Sequence, residues 1–150
     1  MAELMAVSRF ERLFRMAAGL DVDKSDLKRL SNFVRQKIYD LLLAAQAAAR
    51  ANGRDVIQVH DLPITKGLRE RIRAFEALDT ELELEPVLEH LAELPPLELA
   101  YSYEVENELP RLVGALTVAL AQAFKVLDPE VKNPQSLHWE RAIAIFNLLL

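Results

Sequence analysis

The three histidines, His60, His90 and His138, are the side chains best suited by their chemistry to proton transfer or metal ligation near neutral pH. Their positions point away from both uses. No two stand at the spacing that brings a pair of metal ligands onto one helix face. His90 lies between Glu89 and Glu93 and reads as part of a solvated helix, while His60 and His138 read as local loop or cap residues. The absence of cysteine removes thiolate metal sites, disulfides and a cysteine nucleophile. The four glycines are scattered, so no glycine-rich loop forms a phosphate cradle. No spacing suggests a Ser, His and Asp arrangement. Tyr101 and Tyr103 could line a ligand pocket, but packing of their loop onto a helical bundle is the simpler reading. The expectation is a protein that is not an enzyme and holds no metal or cofactor.

Cations offer a different chemistry. Arg9, Arg12 and Arg15 recur three apart, and Lys24, Lys28 and Arg29 follow; together they are the candidate nucleic-acid surface. The charge is unevenly placed. Residues 1–78 carry 14 Lys/Arg against 10 Asp/Glu, and residues 79–150 carry 4 against 13, within a net charge of −5. The simpler reading is that the two halves neutralise one another across an internal interface; the sharper one is a basic binding face.

The elements that must position these side chains are helical. Gly is scarce and Ala, Leu, Glu and Arg abundant, which favours helix. Phe10, Leu13, Phe14 and Ala17 mark a first helix over 5–18, with Gly19 as its C-terminal stop. A second, long helix covers 26–52, with Asp23 or Ser25 as N-cap, an apolar stripe from Leu27 to Ala49, and Gly53 ending it. β-Branched residues at 55–59 read as a short strand. Asp61 before Leu62-Pro63 reads as the N-cap of a third helix, with Leu68, Ile72 and Phe75 inward and Arg69, Glu70, Arg71 and Arg73 outward. An acidic connector then leads to a short helix at 85–94, ended by Pro95-Pro96. After a longer loop come a helix at 105–127 and a last helix at 137–149. The longest apolar runs fall short of the roughly 20 residues a membrane span needs. No signal pattern opens the chain. A cytoplasmic location is expected.

Shifting the first half by about 78 residues lays Val34 on Leu112, Ile38 on Leu116, Leu42 on Leu120 and His60 on His138, a repeat in pattern more than in identity. Short helix, long helix and short helix, with the stretch GRDVIQVHDL after the long one, resembles the histone fold. Two such copies in one chain resemble a small, uncharacterised bacterial family of tandem histone folds. The resemblance implies an all-α fold of two histone-fold repeats forming an intramolecular pseudodimer. It makes 1–150 one compact domain, 5–77 the first repeat and 84–150 a degenerate second repeat. It further implies a structural clamp between Arg54 and Asp61, whose planar guanidinium can hold a carboxylate by two parallel bonds. In the second copy Lys132 and Trp139 replace the pair, and Trp139 is expected to substitute by packing, with Lys132 over its ring.

DNA-binding histones need cations in their loops. Here Asp21 and Asp23 precede Lys24, Asp55 follows Arg54, and Glu104, Glu106 and Glu108 open the second long helix. Carboxylates facing phosphates repel them. The expected function is a non-enzymatic, monomeric histone-fold doublet that contacts a protein partner, with weak or conditional DNA binding through the basic first half as the alternative.

Overall fold

The computed structural model describes residues 2–84, 88 and 97–150, with side chains from residue 7 onward. The expected helix at 85–94, its Pro95-Pro96 stop and His90 lie outside the described residues. Helix α1, Ala2–Ala18, buries Phe10, Leu13 and Phe14 on one stripe. Its end turns at Gly19, whose φ of 64° is the left-handed region that suits glycine.

Helix α2, Lys24–Ala51, begins with a reciprocal capping box. The Asp23 carboxylate accepts from the backbone N–H groups of Ser25 and Asp26, and the Asp26 carboxylate accepts from that of Asp23. The helix ends in a Schellman motif: Gly53, at φ 71°, donates to Arg50 O, and Arg54 N donates to Ala49 O. The chain then enters β1, Val56–Ile57, and a 3-10 turn, Val59–Asp61.

Helix α3 runs Lys66–Leu82 and α4 runs Tyr103–Leu127, preceded by β2, Ala100–Tyr101. Helix α5, Ser136–Leu149, closes the order. Most residues of α4 are buried, and α1, α2, α3 and α5 all pack on it. By length and composition alone α4 could cross a membrane, but most of its apolar window is buried inside the protein. Gly114 admits α3: a Cβ there would collide with the fully buried ring of Phe75.

Two loop contacts tie the halves. β1 pairs in parallel with β2, Val56 opposite Ala100 and Ile57 opposite Tyr101. At another loop pair, Asp21 N donates to Lys132 O at 2.6 Å.

Several expectations change. The strand is two residues long rather than five, because the chain coils into the 3-10 turn at Val59. Asp61 does not cap the third helix. Leu62, which precedes Pro63, is held extended at ψ 129°, so helix cannot start there; it starts at Lys66 with the Thr65 hydroxyl accepting from Leu68 N. The acidic stretch after residue 78 continues α3 as far as Leu82, where Glu83 turns left-handed at φ 50°. The gapless shift holds along the long helices, where Val34 and Leu112, Ile38 and Leu116, and Leu42 and Leu120 are all buried, and fails after them. It carries Lys24 onto Ser102, the N-cap of α4, but carries Lys66 eight residues past the start of α5 at Ser136, about two helical turns.

Candidate functional site

The residues after the Schellman turn hold a bidentate ion pair. Arg54 Nη1 donates to Asp61 Oδ2 and Nη2 donates to Oδ1, each at 2.6 Å. Asp61 Oδ2 also accepts from the backbone N–H of Gln58 at 2.8 Å, so the carboxylate closes the 3-10 turn as it binds the guanidinium. The Arg54 side chain is about a third exposed, while that of Asp61 is buried. The guanidinium is the main reason the Asp61 carboxyl is held down at about 2, with the Gln58 N–H adding to it against burial. The same bond pushes Arg54 up. Both carboxylate oxygens are engaged within the loop, which describes a loop fastener.

The basic residues are dispersed among acids. Arg9 donates to the carbonyl of Glu83 at 3.1 Å, Arg12 faces Glu81 at 3.7 Å and Arg15 faces Asp21 at 3.7 Å. Arg29 donates to the Ser136 hydroxyl at 3.0 Å. Arg50 pairs with Glu98, and Arg111 with Glu76 at 3.6 Å and Glu108 at 3.3 Å. Lys24 and Lys28 stay exposed and make no ion pair among the described residues.

His138 Nδ1 accepts from the Gln135 N–H at the start of α5, and Nε2 lies 3.1 Å from Asp128 Oδ2. This contact is the leading cause that lowers the Asp128 carboxyl. His60 is exposed in the 3-10 turn. Tyr101 packs against the core, and Tyr103 stands out in solvent. Among the described residues no three His, Asp or Glu side chains cluster as metal ligands.

Trp139 corrects the expected stacking on Lys132. Its ring meets Phe124 edge-on at 5.0 Å, and its Nε1 donates to Asp26 Oδ1 at 3.1 Å, while Lys132 is exposed. Two further polar groups escaped sequence reasoning. Lys37 is buried with its ammonium donating to Asn147 Oδ1 at 2.5 Å and Asp40 Oδ2 at 3.2 Å, in the wall of a groove of about 600 Å³ between α2 and α5. Its place three residues after Val34, on the apolar stripe, was the available signal. Arg71, expected outward, is half-buried and donates to Gln122 Oε1 of α4 at 2.6 Å. It lines a second groove, of about 480 Å³, between α3, α4 and the end of α5.

Helices packed around one buried helix, with polar groups spent on loop fastening and capping, define an all-helical protein with a minimal parallel bridge. The chain belongs to the family described as a domain of unknown function, DUF1931, which it matches over residues 10–147. It is similar to two proteins of Aquifex aeolicus (strain VF5), both described as uncharacterised. One is 30% identical over 83% of this chain and 72% of that one; the other is 27% identical over 85% and 82%. A crystal structure of a protein from Thermus thermophilus is 60% identical, with a TM-score of 0.86 over 96% of this chain and 97% of that one. A crystal structure of protein AQ328 from Aquifex aeolicus is 27% identical, with a TM-score of 0.84 over 97% and 95%.

Proposed function

We propose that the chain is a histone-fold doublet that works as a non-enzymatic protein-interaction module. Helices α1 to α3 make the first copy, and α4 and α5 belong to the second. The two loop contacts support this reading. β1 follows one long helix and β2 precedes the other, and Asp21 and Lys132 stand in the converse relation. Each copy's first loop thus meets the other's second, as a head-to-tail clasp requires.

The observation that carries the preference for a protein over DNA is the engagement of Arg9, Arg12 and Arg15. All three meet oxygen acceptors of this same chain, two of them carboxylates, at α3's end and beside α2. These exposed contacts are individually weak, but the carboxylates of Glu81 and Asp21 beside Arg12 and Arg15 repel a phosphate. The outer face of α5 offers apolar surface instead, with Leu137 53% and Leu148 83% exposed.

Lys24 and Lys28, exposed at the start of α2, favour the second reading, a weak salt-sensitive association with DNA. Titration of fluorescent duplex DNA at low and moderate salt separates the two. The interaction module shows no saturable binding at moderate salt. Tight binding that weakens with salt, and with Arg9, Arg12 and Arg15 or Lys24 and Lys28 replaced by alanine, would replace it by the DNA reading.

A further inference from the structure

We propose that His138 is a proton-dependent latch at the start of α5: neutral, it caps that helix and joins it to the end of α4; protonated, it releases the cap. This does not depend on the histone-fold reading. The backbone N–H of Gln135 only donates, so His138 Nδ1, 2.9 Å away, is an unprotonated acceptor. The ring proton of the neutral imidazole therefore sits on Nε2, which donates it to Asp128 Oδ2 at 3.1 Å. Two bonds thus fix both the tautomer and the charge state of the closed latch. Gln135 is the N-cap of α5 and His138 lies three residues on. The imidazole takes the place that Glu or Gln usually fills in a capping box.

A second proton on this ring goes to Nδ1. That nitrogen then has no lone pair for the Gln135 N–H, and two N–H groups face each other. Nε2 keeps its bond to Asp128. The ion pair so made joins side chains that are 20% and 44% exposed, where added charge contributes little beyond the bond already present. The new charge also stands in the first turn of a helix, the end at which a cation is unfavourable. Other charged groups flank the ring from several elements. Lys125 of α4 stands near Asp128 and donates to the Val131 carbonyl at 2.5 Å. Glu130 and Lys132 of the connector, and Glu140 and Arg141 of α5, are exposed. From α2, Arg29 donates to the Ser136 hydroxyl at 3.0 Å and Asp26 accepts from the Trp139 indole at 3.1 Å. These last two ties lie in the turn that the latch closes, so its opening reaches the seam between α2 and α5.

The test is a titration of the full chain from about pH 8 to about pH 5, the range over which imidazoles change charge. Nitrogen-15 NMR follows the His138 ring and the Gln135 amide, and fluorescence follows Trp139, the single tryptophan. At the upper end His138 is expected in the Nε2–H tautomer. On acidification the Gln135 amide signal and the Trp139 emission are expected to change together with the His138 ring. His138→Gln accepts from the Gln135 N–H without titrating, so both responses are expected to vanish in it although His60 and His90 remain. Asp128→Asn removes the counter-charge and is expected to move the transition to lower pH. An Nδ1–H tautomer at the upper end would overturn the proposal, as would a Gln135 amide that does not follow the ring. Both are read on the unaltered chain, so they decide the matter even if His138→Gln does not fold. A Trp139 response that survives in His138→Gln would overturn it too. So would an Asp128→Asn transition at the wild-type pH, since that carboxylate would then not hold Nε2.

Discussion

The indole Nε1 of Trp139 donates a 3.1 Å hydrogen bond to Asp26 Oδ1, across 113 residues of chain. The other carboxylate oxygen of Asp26 takes the backbone N–H of Asp23 and so completes the cap of α2. One buried carboxylate therefore fastens the start of the first long helix and the first turns of the last helix at once. The 78-residue shift lays Trp139 over Asp61, so the two positions fasten different things. Asp61 holds its own loop, while Trp139 reaches into the other half.

Trp139→Phe keeps the ring's edge contact with Phe124 and removes the donor. Asp26 Oδ1 is then buried without that bond, which costs about 1–3 kcal/mol. Urea unfolding should show a lower midpoint with an unchanged slope. Asp26→Asn keeps one acceptor oxygen and sets an NH2 donor against either the indole N–H or the Asp23 N–H, so it should cost at least as much as Trp139→Phe. A clearly smaller cost would mean that the paired acceptance by this carboxylate is not what holds the two helices.

The Arg54–Asp61 pair predicts a specific acid sensitivity. The folded-state carboxyl of Asp61 is depressed from its ordinary 3.8 to about 2. A depressed acid stabilises the fold above its unfolded value, and that contribution is lost as pH falls through the folded one. Wild-type stability should therefore decline between about pH 4 and pH 2, and Asp61→Asn should flatten the decline in that window. Asp23, Glu70 and Asp128 are also lowered and will leave a residual slope. At neutral pH, Arg54→Ala should lower the melting temperature by several degrees, because it leaves the buried Asp61 carboxylate without its guanidinium. Lys132→Ala, at an exposed position, should change it little.

Reading the sequence reaches contacts that are local. Arg54 and Asp61 lie in one loop between a glycine stop and a proline, so the turn that joins them is written in adjacent residues. The caps at Asp23, Gly19 and Gly53 are local for the same reason. Asp61 as a helix N-cap misled because Asp serves a 3-10 turn as well as an α-helix, and only the extended residue before Pro63 separates the two. Arg71 with Gln122, Lys37 with Asn147 and Trp139 with Asp26 join elements far apart in the chain. Helical periodicity says which face is apolar, but not which polar group on another helix will meet an arginine or lysine at its edge. The groove at Arg71 has no local signature at all, since its walls come from three helices.

Gly114 and Gly67 make a paired test of how α3 sits on α4. Alanine favours a helix over glycine by about 1 kcal/mol, so propensity alone would make both Gly→Ala changes stabilising. At Gly67 a new Cβ meets open space, and Gly67→Ala should raise stability by up to about 1 kcal/mol. At Gly114 the new atom strikes three carbons of the Phe75 ring, which is fully buried and has no free side to move toward. Overpacking of this kind costs about 1–3 kcal/mol and outweighs the gain in propensity. Gly114→Ala should therefore destabilise. Phe75→Leu should relieve part of the clash, so the double variant should be more stable than the sum of the two single effects. Simple additivity in that cycle would mean that α3 shifts as a body to accommodate the methyl group, and that the close approach at Gly114 is not what positions it.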